Sequence, residues 1–376
     1  MTSPFSAAEP KGTASTPVFL TTFGLILVSI ATFLVFDLWL AAIDARESTL
    51  HAAHLYEDAR VLMRSGNPHE AAERLVSARA LARTNVRYGA ALAEALLADG
   101  RVSEARTELT ETLRLAESDG HANLVMARIL ARSGSLDQAA SFYHRAIYGS
   151  WEDDAGSRRL AARMELVHLL ARRGDRADML AELLAVEDLR PDSVQLRREL
   201  AHLFQAAGSP ERAVPIFREI LRRDPRDGDA YAGLGEAALA LGDFRTARAD
   251  LLAAARLGGD SVSLASSLAV ADDALKLDPT ARGIDGAARL ARSRELLGRT
   301  LVAVETCPLT GPSAHLADSA RAELAAPIDP KRTVGALWDG MLDLASEIWS
   351  RREPGCAASP LPADRALELV QRKLRS

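Results

Sequence analysis

Arginine, glutamate and histidine recur at a fixed spacing along the middle of this chain. Six residues before each of six evenly placed glycines stand, in order, Arg60, Glu94, Arg128, His168, His202 and Glu236. A guanidinium group binds a carboxylate through two parallel hydrogen bonds, so a row of arginines can bind an acidic peptide segment. Such a row requires structural elements that repeat with the same period as the side chains.

Residue types that serve catalysis or metal binding are sparse. His51 and His54 lie three residues apart, and we interpret them as the solvated start of a helix rather than as a metal site. His168 and His202 are 34 residues apart, which suits two polar contacts better than one metal site. The sequence has no Cys-x-x-Cys pair, no Gly-x-x-x-x-Gly-Lys loop and no Gly-x-Ser-x-Gly elbow. We therefore predict no cofactor, no metal and no enzymatic activity, with a catalytic site in residues 308–376 as the alternative.

Six glycines define the period. They are separated by 34, 34, 40, 34 and 34 residues, and they are Gly66, Gly100, Gly134, Gly174, Gly208 and Gly242. Each lies between two stretches with helical periodicity, and glycine readily adopts the left-handed backbone that ends many helices. A period of this length is typical of antiparallel helix pairs that stack on their neighbours.

Small side chains recur where two such helices would cross. Five residues after the glycines, the chain has Ala71, Ala105, Ala139, Met179, Ala213 and Ala247. Nine residues after them come Leu75, Leu109, Tyr143, Leu183, Phe217 and Leu251. Small side chains let two helices approach closely, and the larger ones fill the space one turn away.

This pattern resembles the tetratricopeptide repeat over residues 52–258, most closely in Leu234-Gly235, Gly242-Asp243-Phe244 and Asp224-Pro225. The resemblance implies an all-α fold in which stacked helical hairpins form a right-handed superhelix. It also implies a protein or peptide partner, bound in a concave groove that the first helix of each hairpin lines. The predicted groove residues are Tyr56, Arg60, Arg64, Glu94, Leu124, Arg128, Arg132, Met164, His168, Arg172, Arg198, His202 and Glu236.

The same period predicts the domain organisation. A tail (1–16) and a transmembrane helix with a juxtamembrane turn (17–43) precede six hairpins (50–258), a degenerate seventh hairpin (259–306) and a helical C-terminal cap (307–376). Six extra residues in the fourth repeat fall near 149–154, where we predict a protruding loop. The side chains expected to seal the open end of the stack are Trp338, Leu342, Ile348 and Trp349.

The N-terminal segment has the composition of a membrane span. Residues 12–36 carry no charge, and about 20 apolar residues at about 1.5 Å each cross a hydrocarbon core of about 30 Å. Trp39 suits the membrane–water interface. We predict a retained transmembrane helix, with a cleaved signal peptide as the alternative. The positive charges of Lys11 and the amino terminus favour a cytoplasmic tail and a body outside the cytoplasm.

Cys307 and Cys356 are the two cysteines of the chain. We predict a disulfide between them, which would close a loop of about 50 residues and requires an oxidising compartment. Two buried free thiols are the alternative.

These features predict a membrane-anchored scaffold that mediates protein–protein interactions in a bacterial cell-envelope complex, in the inner membrane with a periplasmic body. An anchored regulator of lipid or polysaccharide assembly that faces the cytoplasm is the alternative. We expect an acidic segment to dock against Arg128, Arg132 and Arg172; a solvated arginine face without a ligand is the competing interpretation. A net charge of −5 gives no support for nucleic-acid binding, and no small-molecule substrate is evident.

Overall fold

The structure is a computed structural model that describes residues 16–189, 191–258, 262–306, 314–326, 333–351 and 362–375. The chain divides into two compact units, Met1–Glu165 and Leu166–Ser376, here called unit 1 and unit 2. Cys307 and Cys356 lie outside the described residues, so their disulfide stays a prediction.

Unit 1 consists of paired helices. Its helices are α1 (Thr16–Arg64), α2 (Pro68–Leu81), α3 (Val86–Ala98), α4 (Val102–Leu115), α5 (Gly120–Arg132), α6 (Leu136–Tyr148) and the first part of α7 (Ala155–Arg173). α1 packs against α2, α3 against α4 and α5 against α6, and contacts from α2 to α3 and from α4 to α5 join successive pairs.

Unit 2 continues with α-helices only, over the residues that the structure describes. They are the rest of α7, α8 (Arg176–Asp188), α9 (Val194–Ala206), α10 (Pro210–Arg223), α11 (Gly228–Ala240), α12 (Phe244–Arg256), α13 (Val262–Leu277), α14 (Gly286–Thr306), α15 (Ala314–Ala325), α16 (Val334–Ser350) and α17 (Pro362–Arg375). α9 pairs with α10 and α11 with α12. The predicted all-α fold built from helical hairpins is confirmed.

Each of the six glycines ends a helix with the same backbone geometry. Each has a positive φ, between 75° and 84°. The residue after each glycine donates its amide to the carbonyl five positions back, as Asn67 does to Leu62 at 2.9 Å and Asp243 to Ala238 at 2.9 Å. This Schellman motif satisfies carbonyls that a helix end leaves open, and a side chain at such a φ would be strained.

The alanines predicted at the helix crossings are in the core. Ala71, Ala105, Ala139, Ala213 and Ala247 are 0% exposed. The larger residues four positions further on are also buried, and they include Leu109 and Phe217 at 0%. The spacing therefore predicted the packing register correctly, because small and large side chains alternate along the same buried face.

The predicted juxtamembrane turn is wrong. α1 runs without a break from Thr16 to Arg64, so it contains both the apolar segment and the first helix of the first hairpin. No glycine or proline interrupts residues 25–65, and the Ala, Leu, Arg and Glu in this stretch favour a helix. At about 1.5 Å per residue, these 49 residues extend about 74 Å.

The predicted protruding loop at 149–154 is also wrong. Ser150 donates its amide to the Ser118 carbonyl and accepts the Gly120 amide, both at 2.8 Å. Trp151 donates its indole N–H to the Ala146 carbonyl at 2.8 Å, and its ring fills the space that a Cβ on Gly120 would need. The extra residues fold back on the start of α5 because this tryptophan buries its ring there.

Beyond α12 the hairpin pattern changes. α13 packs mainly against α17 and α14 mainly against α16, so residues 259–306 do not form the seventh hairpin that was predicted. α17 takes this place because it offers an apolar face, with Leu367 and Val370 3% and 0% exposed. Ile348 is fully buried in the same core, which Leu342 and Trp349 also join, while Trp338 lies outside it and stacks on a guanidinium group.

Candidate protein-interaction surface

The predicted groove residues lie on the first helices of the pairs, and the two units hold separate sets. Unit 1 holds Tyr56, Arg60, Arg64, Glu94, Leu124, Arg128, Arg132 and Met164. Unit 2 holds His168, Arg172, Arg198, His202 and Glu236. Leu124 and Met164 are 5% and 8% exposed, so including them in an open groove was wrong. Their apolar side chains pack between helices, whereas the polar members of both sets reach the surface.

Arg128 is the centre of an ion cluster in unit 1. Its Nη1 donates to Glu94 Oε1 at 2.9 Å, and its Nη2 donates to Glu165 Oε1 at 2.7 Å. Tyr143 donates its hydroxyl to Glu165 Oε2 at 3.1 Å, and His121 Nε2 lies 2.8 Å from Glu94 Oε2. The cluster joins side chains of α3, α5, α6 and the unit 1 part of α7.

The charges of this cluster hold each other ionised. Burial acts to raise the pKa of Glu94, but the hydrogen bond and charge of His121 and the ion pair with Arg128 lower it to about 2. Burial acts to lower the pKa of Arg128, but Glu165 and Glu94 raise it above its ordinary value. At neutral pH the guanidinium of Arg128 is therefore already matched by two carboxylates.

This pairing corrects the expected docking of an acidic segment on Arg128. An incoming carboxylate would have to displace two carboxylates that Arg128 already holds. Arg132 is different, because it is exposed and its Nη1 donates to the backbone carbonyl of Leu97 at 3.3 Å. Arg64 is also exposed, and its Nε donates to the Arg60 carbonyl at 3.3 Å. Arg64 and Arg132 therefore keep charges that no carboxylate among the described residues balances.

A second cluster of unit 1 was missed by the sequence reasoning. Arg87 Nε donates to the Tyr56 hydroxyl at 3.0 Å, and its guanidinium lies 4.8 Å from the centre of the Tyr56 ring. Arg87 Nη2 donates to Asp153 at 2.7 Å, with Glu152 at 3.4 Å from Nη1. The acidic run in the inserted loop was a visible signal, but nothing in the sequence connects it to an arginine 66 residues away.

In unit 2 most of the predicted polar residues are paired within the unit. His168 Nε2 lies 2.8 Å from Glu199 Oε1. Arg198 forms an ion pair with Asp227 at 2.5 Å, and the Asp227 side chain is only 9% exposed. Arg172 is exposed on α7. Among the described residues of this unit, Arg172 is thus the predicted arginine that is exposed and makes no ion pair.

His202 and Glu236 make contacts of different kinds. The His202 ring meets the Phe217 ring edge-on, with 5.1 Å between their centres. Glu236 accepts hydrogen bonds from Ser267 and, at 3.3 Å, from Arg365 of α17. Among the described residues no group of three His, Cys, Asp or Glu side chains is arranged to hold a metal ion.

Two stretches of the chain match family models described as tetratricopeptide repeat. They are residues 62–129, from the end of α1 into α5, and residues 198–262, from α9 to the start of α13. These two stretches therefore contain tetratricopeptide repeats, and stacked repeats of this kind form extended concave surfaces that bind other proteins. Proteins of this repeat class are generally non-enzymatic scaffolds.

The individual proteins that this chain resembles share a low sequence identity with it. The protein CTR9 homolog of Arabidopsis thaliana is 26% identical over 133 residues, which are 34% of this chain and 12% of that protein's length. The structure of YrrB, described as a TPR protein with an unusual peptide-binding site, is 17% identical, with a TM-score of 0.43 over 52% of this chain and 96% of YrrB. PilW, described as a widely conserved type IV pilus biogenesis factor, is 17% identical, with a TM-score of 0.43 over 58% of this chain and 98% of PilW.

Proposed function

We propose that this protein is a membrane-anchored scaffold that assembles partner proteins of a bacterial cell-envelope complex. The observation that carries the proposal is the continuity of α1, which joins the apolar N-terminal segment to the first repeat helix. A scaffold confined to a membrane raises the effective concentration of partners that are also held there.

None of the described residues covers the apolar part of α1. Leu25, Phe33 and Leu38 are 67%, 71% and 70% exposed. Soluble proteins bury large apolar side chains of this kind, and α1 is long and apolar enough to cross a bilayer. A signal sequence has a similar composition, so retention of this segment is the first property to test.

Continuity of α1 also constrains the first hairpin of unit 1. From Phe36 to Arg64 the helix rises about 42 Å at about 1.5 Å per residue. Because this stretch has no flexible joint, the first hairpin keeps a set distance and direction relative to the anchor. Such a connection suits a scaffold that presents its partner at one height above the membrane.

The partner segment docks, in this proposal, on the first-helix face of unit 1. Arg64 and Arg132 stand two residues before their glycines, and Ala98 occupies the same position in the hairpin between them. The two exposed guanidinium groups suit carboxylates of an acidic segment, and the small alanine leaves room for its backbone. This face replaces Arg128 as the expected acidic contact.

Membrane extraction tests the anchor. Full-length protein should remain in the membrane fraction after alkaline carbonate washing, and a chain lacking residues 1–45 should become soluble. Mass spectrometry of the purified full-length product should find residues 16–36 still attached. A mature chain that begins after residue 36 would mean a cleaved signal, and the anchored scaffold would be rejected.

A topology fusion tests the compartment. Alkaline phosphatase joined after Ser376 should be active, because the enzyme folds only outside the cytoplasm. A fluorescent protein that folds only in the cytoplasm, joined at the same point, should stay dark. The opposite pair of results would support a regulator that faces the cytoplasm and would reject the envelope assignment.

Charge reversal tests the docking face. Arg64→Glu with Arg132→Glu should remove most partner recovery when the full-length protein is isolated from its own membranes with quantitative mass spectrometry. Arg74→Glu with Arg106→Glu is the matched control, since both residues are exposed on the second helices α2 and α4. Equal recovery by the two double variants would reject the face defined by Arg64 and Arg132.

A further inference from the structure

A cleft in unit 1 lies between the second helices α2 and α4, over the first helix α3, and neither Arg64 nor Arg132 lines it. Its volume is about 580 Å³, within the roughly 300–1,000 Å³ range typical of ligand pockets. Leu92 and Leu96 of α3 supply apolar lining, and Ser103 and Thr107 of α4 supply hydroxyl groups. The cleft therefore combines an apolar surface with polar groups that would fix the orientation of a ligand.

At this cleft an arginine occupies a position where the next two hairpins have an apolar residue. Thirteen residues after its glycine, the first hairpin has Arg79 where the next two have Leu113 and Ile147. Arg79 Nε donates to Glu108 Oε1 at 2.7 Å, and its side chain is only 13% exposed. Its Nη1 is buried and has no hydrogen-bond partner among the described residues. A buried donor without a partner costs free energy, so the Arg79 guanidinium keeps hydrogen-bonding capacity that Glu108 does not satisfy.

The helix beneath the cleft is adapted to this arginine. Gly89 lies inside α3, where glycine is unfavourable for a helix. A Cβ at this position would collide with Thr112 Oγ1 and lie 3.0 Å from Glu108 Oε1. Thr112 is itself fully buried, and its hydroxyl has no hydrogen-bond partner among the described residues. Gly89 thus makes room for a buried polar group that the repeat does not otherwise need.

The charges around the cleft favour an anion. Its lining includes Arg79, Arg83 and Arg101 against Glu104 and Glu108. Glu108 is paired with Arg79 and Glu104 with Arg101 at 2.6 Å. Arg83 is exposed and has no ion-pair partner among the described residues. The cleft that Arg79 lines therefore carries one positive charge, that of Arg83, which no carboxylate among the described residues balances.

Apolar side chains are exposed on the two helices that border the cleft. Val76 and Leu81 of α2 are 51% and 42% exposed, and Val102 of α4 is 38% exposed. Exposed apolar groups around a polar cleft are typical of a surface that a protein covers, rather than of a site for a small ion.

We propose that this cleft is a second docking site, which binds a protein segment that places a carboxylate beside an apolar side chain. The carboxylate pairs with the exposed guanidinium of Arg83, beside Arg79, and the apolar side chain packs on Leu92 and Leu96. The site uses the second helices α2 and α4, so it is separate from the face defined by Arg64 and Arg132. One scaffold then holds two partners, or two parts of one partner, at the same hairpins.

Selection from a random peptide library tests the cleft. Phage that display random 12-residue peptides are selected on the full-length protein in detergent micelles and counter-selected on Ala80→Trp, which fills the cleft from its exposed rim. Ser77→Trp on the same helix is the matched control, because exposed Ser77 does not line the cleft. The expected binders pair Asp or Glu with a large apolar residue and are retained by Ser77→Trp.

Titration of the selected peptides then tests the arginines. A fluorescein-labelled binder should lose about three- to tenfold in affinity for Arg83→Gln, which removes one charge-assisted contact. Affinity for Arg74→Gln should change less than twofold. The double variant Arg64→Glu, Arg132→Glu should bind the peptide normally, so failure of the first docking face and failure of the cleft give different results.

Three results would overturn this second site. The library yields no peptides that distinguish the wild type from Ala80→Trp; the peptides that do so carry no carboxylate beside an apolar residue; or Arg83→Gln and Arg74→Gln bind them equally. Because Arg83 and Ala80 are both exposed, these variants do not depend on replacing the buried Arg79.

Discussion

The contacts within the repeat hairpins and those within the C-terminal region differ in the sequence separation of the residues that they join. In the repeats, Arg128 bonds to Glu94 and Glu165, which are 34 and 37 residues away. In the C-terminal region, Arg365 contacts Glu236 across 129 residues. Repeats therefore assemble from neighbours in sequence, whereas α17 reaches its place only after distant segments have met.

The two regions also differ in what fills their helix contacts. Alanine occupies five of the six crossings of the repeats, and Met179 occupies the other. On α17, Lys373 donates to the buried carboxylate of Asp278 at 2.8 Å, and Gln371 donates to Thr300 at 2.9 Å. A slip of α17 would leave these buried polar groups without partners. Small apolar side chains thus set the repeated crossings, while buried polar pairs make the single contact of α17 specific.

Loss of the predicted disulfide should have the largest effect on the stability difference between the two regions. Cys356→Ser should lower the free energy of unfolding of the C-terminal region by about 4 kcal/mol in oxidising buffer, because a bond that closes about 50 residues restricts the unfolded chain. Urea unfolding followed by hydrogen exchange would show the loss there and not in α3–α5. Wild-type protein treated with dithiothreitol should behave like the variant. Labelling of both thiols in unreduced, denatured protein would contradict the bond.

Truncation of a core residue on α17 should have the second-largest effect, and it should destabilise the C-terminal region without destabilising the repeats. Leu367→Ala leaves a cavity at a side chain that is 3% exposed and should cost about 3 kcal/mol. Hydrogen exchange should accelerate in α13 and α17 while α3–α5 keep their protection. Arg372→Ala is the control, because Arg372 is exposed on the same helix. Equal acceleration in the repeats would show that the two regions are not independent in stability.

Overpacking a repeat crossing should have a smaller effect. Ala105→Phe forces a large side chain into a fully buried crossing and should cost about 2 kcal/mol. Arg106→Phe is the neighbouring control, since Arg106 is exposed and should cost little. Urea midpoints compare the two variants. If they are equal, the register of the second hairpin is wrong.

The smallest expected effect concerns the ion cluster of Arg128. The pKa of Glu94 in the folded protein is about 2, below its ordinary value of 4.5. Its contribution to stability is therefore complete above about pH 4.5 and disappears as the pH falls towards 2. Glu94→Gln should cost less than about 1 kcal/mol at pH 7, because the side chain is 37% exposed and screened by solvent.

Unfolding measurements between pH 7 and pH 2.5 check this dependence. The difference in stability between the wild type and Glu94→Gln should be constant from pH 7 to pH 5 and shrink below that. Glu57→Gln serves as a control on the exposed surface of α1. A difference that grows as the pH falls would contradict the depressed pKa of Glu94.

Sequence reasoning succeeded where a contact repeats and failed where it occurs once. The six helix-ending glycines and the crossing alanines recur, so each copy supports the interpretation of the others. Three features occur only once in the described residues: the continuity of α1, the contact of Trp151 with Gly120, and the packing of α17 against α13. No second copy in the sequence distinguishes these features from a turn, a loop or an ordinary hairpin.

The candidate docking face was also only partly predictable from the sequence. The positions of Arg64, Arg128 and Arg132 on first helices follow from their spacing to the glycines. Their availability does not, since Arg128 is neutralised by Glu94 and Glu165 while Arg132 is exposed. Charge pairing depends on distances of a few ångströms between side chains, and these distances arise only when neighbouring helices have packed.

The amino-acid sequence by itself determined that this chain forms paired helices, where each first helix ends, and which side chains lie in the helix crossings. These properties depend on backbone preference and on apolar periodicity, which act over one or two turns. Only the tertiary structure decided which arginines remain unpaired, where the inserted loop rests and which helix covers α13. Those outcomes depend on groups that are far apart in sequence and meet only in the packed molecule.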